Sequence, residues 1–586
     1  MKKWVVRAKS ADFEGIAERF NISPILARLI RNRDVIGDDA INMYLNANLS
    51  DTYSPFLLKN VDKACDIIIE AIKSGKSIRV VGDYDIDGVS ASTILVRGLK
   101  AAGGDVSCRL PHRIRDGYGL NDSIIEEAGN DGIDLIITCD NGIAASNEIK
   151  HAKELGIDVI ITDHHEIPFK EENGEKHFII PDASCVINPH QPGETYPFKE
   201  ICGAMVAYKT ILALKKRIDE ASENDGLHVI PDDLTDTFLD LAAFATIGDV
   251  MPLIDENRII VKYGLRSMKA TKNVGLSALI DATGINRARL EPYHIGFILG
   301  PCINAAGRLY SADIAYNLLM SDDEDEAIEI ANRLKEINIE RRAIEDEKLS
   351  EAFNIIETGC DGHDYSNDTV LILYLSDCHE SLAGLIAGKL KEKYCKPSIV
   401  LTDCMTGLKG SGRSIDCYDI HDALIRNSEL FQKFGGNPMA CGLSMDEDKL
   451  EEFRTRINEQ STLTENDLID KYYIDIDMPI NYVSRGLIDE IEKMGPFGQG
   501  NPKPLFAQKN LMILSRKKNA KGNMITLTLK SLPHKDKPEC VMYATMFGEA
   551  DELLSRLEGK NQITMAYEPE YNDYFERVQL RIKDFI

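Results

Sequence analysis

SIRVVGDYDIDGVSAS, residues 77–92, opens on a β-branched run and ends in three aspartates set two apart. DLIITCD (134–140) and DVIITDHH (158–165) repeat the form, each a short apolar run closing on an acidic residue. Each run follows a helix-like stretch, and this alternation predicts βαβ units around a parallel sheet buried on both faces. Ligands of such sheets gather beyond the carboxyl ends of the strands, which is where Asp83, Asp140 and Asp163 fall. If the chain stays extended through Asp83, Asp85 and Asp87, a period of two aims the three carboxylates to one side. D-x-D-x-D-G also begins an EF-hand loop. That loop needs a preceding helix and an acidic twelfth residue, and Ile94 stands there instead.

Outward from this core, residues 1–75 read as a mostly helical N-terminal region and 76–320 as the domain of the parallel sheet. Residues 321–358 carry the apolar spacing of one long amphipathic helix with Ser321 as N-cap. About 50 Å of helix suits a rigid connector between two lobes or a surface helix along one domain. TVLILYLSD and PSIVLTD place a smaller α/β domain over 359–462. Five β-like segments and the helical GEADELLSRLEG suit an oligonucleotide-binding (OB) barrel over 463–586, and other small β barrels as well.

Composition narrows the class. No stretch is long and apolar enough to span a bilayer, and MKKWVVRAKSADFEG lacks a signal-peptide core, so a cytoplasmic protein with no membrane association is expected. Thirteen cysteines without CxxC spacing argue against a zinc ribbon or a disulfide framework. A formal charge of −27 opposes nucleic-acid binding by the body as a whole, since phosphate affinity comes from Lys and Arg. The charge is uneven, however. Residues 322–347 hold eleven acids against four bases, whereas Arg109–Arg115 carries three arginines and a histidine.

Carboxylates mixed with an imidazole suit Mn²⁺ or Mg²⁺, whereas zinc favours thiolates. Asp83, Asp85, Asp87, Asp140 and Asp249, with the pair His164 and His165, make such a set. Singly, each aspartate reads as a turn or cap residue. Two ions about 3.5–4 Å apart can activate a water and hold both oxygens of a phosphoryl displacement.

DYDIDG, CDNGI, TDHHE and GDVMPL, in this order, resemble the signature motifs of the DHH phosphoesterase superfamily. The resemblance implies a shell of two Mn²⁺ or Mg²⁺ ions made by Asp83, Asp85, Asp87, Asp140, His164 and Asp249. It places Asp87, Asp140 and His165 at the chemistry, with His165 beside the scissile phosphate. RLPHRIRDGYGLN, GPCINAAGRL, KGSGRS and GPFGQGNPKPLF are similar to RecJ-family segments. They implicate Arg109, His112, Arg113, Asn304, Arg308, Ser411 and Arg413 in binding substrate, KGSGRS as a loop. His379, in DCHESLAGLIAGKL, reads as a helix cap or a substrate contact, and Asn437, in FGGNPMACG, is a further substrate candidate. Asn437 stands where RecJ proteins typically carry His, and Tyr310 where Asp is usual. Asn keeps a hydrogen-bonding side chain but carries no proton's charge.

Resemblance to the RecJ family implies an exonuclease that digests single-stranded DNA from the 5′ end to mononucleotides in repair and recombination. It implies a monomer, with a single-strand-binding protein and a helicase as partners. One rival is a phosphodiesterase of the same superfamily acting on short oligonucleotides or cyclic dinucleotides; small-substrate relatives generally lack a C-terminal β domain. Another is a non-catalytic replication scaffold, but such proteins have lost metal ligands that are present here.

Overall fold

A computed structural model describes residues 2–172, 175–221, 226–535 and 537–586. They form two compact units, one of 53–249 and 264–470, the other of 2–52, 250–263 and 471–586.

The first unit is built on five parallel strands: β1 Ser77–Val81, β2 Asp105–Arg109, β3 Leu135–Cys139, β4 Asp158–Thr162 and β5 Cys185–Ile187. Their order is β2-β1-β3-β4-β5, so the chain reverses its winding between β1 and β3. That reversal opens a crevice beyond the strand ends. Helix α1 (Ile86–Ala101) starts at once after β1 and is buried along most of its length. It packs against α2 (Gly203–Asp219) and α3 (Asp232–Gly248). Because α1 begins at Ile86, the three aspartates are not fanned along a strand. Asp85 is its N-cap and Asp87 lies in its first turn. The same fact removes the EF-hand, since a strand precedes the motif and Ile94 is interior to α1.

A π-helical turn, Ile295–Leu299, runs into α4 (Gly300–Leu309). The long helix, α5, spans Glu324–Thr358, and its N-cap is Asp323 rather than Ser321. The Asp323 carboxylate accepts from Glu326 N, while the Ser321 hydroxyl donates to the Glu326 side chain. Its early apolar face contacts α4, and Ala352 and Ile355 enter the core of a second sheet. It is therefore a connector.

That sheet contains β6 (Leu371–Tyr374), β7 (Ser398–Cys404), β8 (Gly407–Arg413), β9 (Phe431–Asn437) and β10 (Ala440–Met445), in the order β9-β10-β8-β7-β6. Helix α6 (Ala383–Tyr394) packs on β7 and β8. KGSGRS lies mostly within β8 and is not a loop. Its glycines serve packing: a Cβ on Gly412 would sit 2.6 Å from the Cys441 sulfur.

In the second unit, strands 506–518, 524–531, 540–547, 562–572 and 577–585 close into a barrel through the pairing of the first with the fourth. The helical segment Ala550–Arg556 falls inside this run. The expected N-terminal region 1–75 is divided. Lys3–Val6 is a strand paired with Lys471–Ile474, and Leu26, Leu29, Ile30, Ile41 and Tyr44 share the barrel's core. Residues 53–75 belong to the first unit. No helix among the described residues is long and apolar enough to cross a membrane.

Candidate metal centre

Asp83 and Asp140 emerge from β1 and β3, on either side of the reversal, and Asp163 follows β4 directly. Helix α1 crowds this end so closely that a Cβ on Gly88 would lie 2.5 Å from Asp83 N. That contact explains the glycine closing DYDIDG. Asp140 adopts φ 61°, a left-handed conformation that costs a side-chain-bearing residue energy. Its N–H donates to Thr162 O, and the Tyr118 hydroxyl donates to its carbonyl at 2.7 Å. A Cβ on Gly203 would stand 2.7 Å from that of Asp140. Both Asp87 oxygens accept from the first turn of α2, from Gly203 N and Ala204 N at 2.7 Å each, where the helix end favours negative charge. Asp249 caps the C-terminus of α3.

His164 Nε2 completes the group, 3.1 Å from Asp140, 3.6 Å from Asp87 and 3.8 Å from Asp249. Among the described residues the donors form three overlapping triads: Asp83, Asp85 and Asp140; Asp87, His164 and Asp249; Asp140, His164 and His165. Asp140 belongs to two of them and His164 to two. The structure brings together every residue of the expected shell.

Burial, then mutual repulsion, raises the carboxyls of Asp83, Asp85, Asp140 and Asp249 above their ordinary range. One oxygen of buried Asp83 has no hydrogen-bond partner. Crowded acids with an orphaned oxygen and an imidazole make a hard donor set that fits Mn²⁺ or Mg²⁺.

His165 differs from the rest in its own acidic partner. Burial opposes its charge, but the Asp163 carboxylate, 2.8 Å from Nδ1, outweighs it and holds the imidazolium up to about 9. Burial would likewise raise Asp163; His165 and the Ile143 N–H bring it down to about 2. Asp163 and Tyr118 are the functional residues absent from the expected set. Asp163 was legible as a strand-end acid within TDHHE. Tyr118 sits in a GYG turn whose contact with Asp140 is purely tertiary.

The expected substrate residues divide. Asn304 accepts from Ile86 N at 2.8 Å and so holds the start of α1. Arg308 is pushed down to about 9 by burial and by Arg113, and burial, with a smaller push from Arg113, also lowers Arg413 and His379. Arg113 lies 4.6 Å over the Tyr84 ring; Arg308 donates to Ser381 O, and Arg413 to Ser411 Oγ and Gly412 O. None of the three arginines has an ion-pair partner among the described residues. His379, bonded to Ser381 Oγ, joins them in a cluster within electrostatic reach of Arg113.

Arg109 and His112 do not join it. Glu127 and Asp116 take the Arg109 guanidinium, and His112 Nδ1 accepts from Ile114 N and Arg115 N, so Arg109 is spent on carboxylates and His112 shapes the segment through one ring nitrogen. Asn437 spends its side-chain oxygen on Met439 N and Ala440 N in the β9–β10 turn, and Tyr310 bonds Glu340.

The chain matches the DHH family, N-terminal domain, over 77–246, the DHHA1 domain over 367–462 and the RecJ OB domain over 474–584. It is 34% identical to the single-stranded-DNA-specific exonuclease RecJ of Bacillus subtilis, over 99% of this chain and 70% of the relative. Identity to the Escherichia coli protein of that name is 33%, over 83% of each. This chain belongs to the RecJ family. RecJ of Thermus thermophilus, crystallised with Mn²⁺, superposes with a TM-score of 0.81 at 25% identity, covering all of this chain and 79% of that one. An exonuclease RecJ bound to manganese gives 0.58 at 31% identity, over 70% of this chain and 96% of the other. The three RecJ segments thus matched are the parallel sheet with its metal centre, the second sheet and the barrel.

Proposed function

We propose that this protein is a Mn²⁺- or Mg²⁺-dependent exonuclease that degrades single-stranded DNA from the 5′ end to mononucleotides. The observation that carries the reading is the pairing of two features in one unit. Overlapping carboxylate and imidazole triads lie next to a cluster of three arginines that have no ion-pair partner among the described residues. The relatives' shared name supports the substrate class. The cationic cluster supports the polarity, because a terminal phosphate brings the counter-charge for Arg113, Arg308 and Arg413.

Asp83, Asp85, Asp87, Asp140, His164 and Asp249 would hold two ions. When loaded, the centre supplies a polarised water and neutralises charge on the phosphoryl oxygens. Helix α2 orients Asp87 through Gly203 N and Ala204 N, and Tyr118 keeps Asp140 in its left-handed conformation. Asp163 ties down His165 Nδ1, leaving Nε2 to deliver its proton to the departing 3′ oxygen. Ser411 orients Arg413, and Asn304 fixes the turn that presents Asp85.

A cytoplasmic monomer acting with a single-strand-binding protein and a helicase fits this activity. The deciding assay uses 5′- and 3′-labelled single strands with Mn²⁺, with chelator, and with Asp140→Ala. Release of the 5′ label as mononucleotide, lost in both controls, is expected. Activity of Asp140→Ala equal to wild type would remove the site from the reaction.

A further inference from the structure

Helix α4 and the turns before it form one continuous helical run from Pro292 to Leu309. Tyr293, Phe297, Pro301, Asn304 and Arg308 recur along it at spacings of four, four, three and four, which puts them on one face. The inner end of that face is the site. Asn304 accepts from Ile86 N, and a Cβ on Gly307 would meet Tyr84 O at 2.4 Å. The outer end is open. Tyr293 is 60% and Phe297 63% exposed, and their rings are stacked at 5.0 Å with planes 25° apart. Between them a Cβ on Gly296 would touch nothing within 4 Å. Arg342 donates to Phe297 O, which steadies the π-helical turn. Turns of this kind concentrate at functional sites.

We infer that Tyr293 and Phe297 form a stacking platform for a base of the single strand several nucleotides from the cut. The inference rests on the exonuclease reading and adds a subsite to it. Phe297 lies about 10 Å and Tyr293 about 16 Å along the helix from Asn304, so a strand leaving the site on this face passes the pair. The pair lies on the same helical face as Asn304 and Arg308, with the half-buried Pro301 between, which favours the strand as its occupant over a protein. Aromatic stacking accepts every base because each has a π face. An enzyme that removes nucleotides in succession needs that tolerance.

The test uses full-length protein with Mn²⁺ and the exposed-site double substitution Tyr293→Ala/Phe297→Ala. The ratio of kcat/KM for a single-stranded 12-mer to that for a dinucleotide is expected to fall on the order of 5- to 150-fold. A phosphorothioate 12-mer carrying 2-aminopurine at successive positions should be quenched at an interior position by wild type and not by the variant. Tyr293→Phe should keep both properties. An unchanged ratio with unchanged quenching overturns the platform, as does equal loss on both substrates. If wild type degrades no strand, the exonuclease reading fails by itself, and the quenching still decides whether the platform binds a base.

Discussion

At Gly203 even a methyl group has nowhere to go, since the atoms it would meet are the Cα, Cβ and carboxylate of Asp140. Asp140 cannot retreat, because Thr162 and Tyr118 hold its backbone in a left-handed conformation. Gly203→Ala is therefore expected to lower kcat on the order of 10²-fold, the cost of displacing a catalytic group by about 1 Å. Circular dichroism should show the fold retained; full activity would mean that Asp140 tolerates displacement. Asp163→Asn removes the charge that keeps His165 protonated. Loss of such an orienting partner costs roughly 10- to 100-fold in activity or metal affinity. Rates should drop in that range while KM for the strand stays near wild type. Of these residues, Asp140 and Asp163 stood out in the sequence as acids closing apolar runs. Gly203 did not, because nothing local marks a glycine whose neighbour lies 63 positions earlier.

Among the elements, α3 carries the clearest pH dependence. Asp240 is fully buried on it, and burial, with a smaller push from Asp236, raises its carboxyl from the ordinary 3.8 to about 6. A raised folded value means stability that is present below about pH 4 and lost as pH climbs through 6. The whole loss is about 3 kcal/mol. Asp240→Asn should flatten this slope, so the difference in thermal midpoint between pH 5 and pH 8 should be smaller than in wild type. Equal differences would place the carboxyl elsewhere in the pH profile. Apolar periodicity revealed α5 and strands β1, β3, β4, β6 and β7 well, since each buries a continuous stripe. KGSGRS deceived because a Gly-rich stretch reads as a turn, whereas here small residues let β8 lie close against β10 and Leu401. The start of α5 was misplaced by two residues because Ser321 and Asp323 are both capping types, and the geometry gives the role to Asp323.

For the molecule as a whole, the barrel's core draws on both ends of the chain. Leu26, Leu29, Ile30 and Ile41 pack with Ile480, Leu487 and Phe506, and Arg258 donates to Tyr44 O and Met494 O. Removing 471–586 alone would leave those N-terminal side chains as an exposed apolar patch, a hazard for aggregation. Protein lacking both 2–52 and 471–586 should accordingly stay monodisperse better than protein lacking only the C-terminal part. Size-exclusion chromatography distinguishes them, and equal behaviour would refute the shared core. The metal centre gives a second global readout. A ligand that binds only the folded state stabilises by about 2.7 kcal/mol at a hundred times its dissociation constant. Thermal midpoints should rise with Mn²⁺ and fall with chelator, and Asp140→Ala should abolish the response.

The chain alone determined the parallel sheet, the long helix, the barrel and the acids and imidazole of the metal shell, because those depend on periodicity and on residue type beside it. Only the tertiary structure decided that Asp87 rests on the start of α2, that Asp163 charges His165, that Arg109 is spent on carboxylates while Arg308 is not, and that the N-terminus completes the barrel. Each of these is a meeting of side chains or backbone groups far apart in the chain, and local pattern carries no record of which donor finds which acceptor.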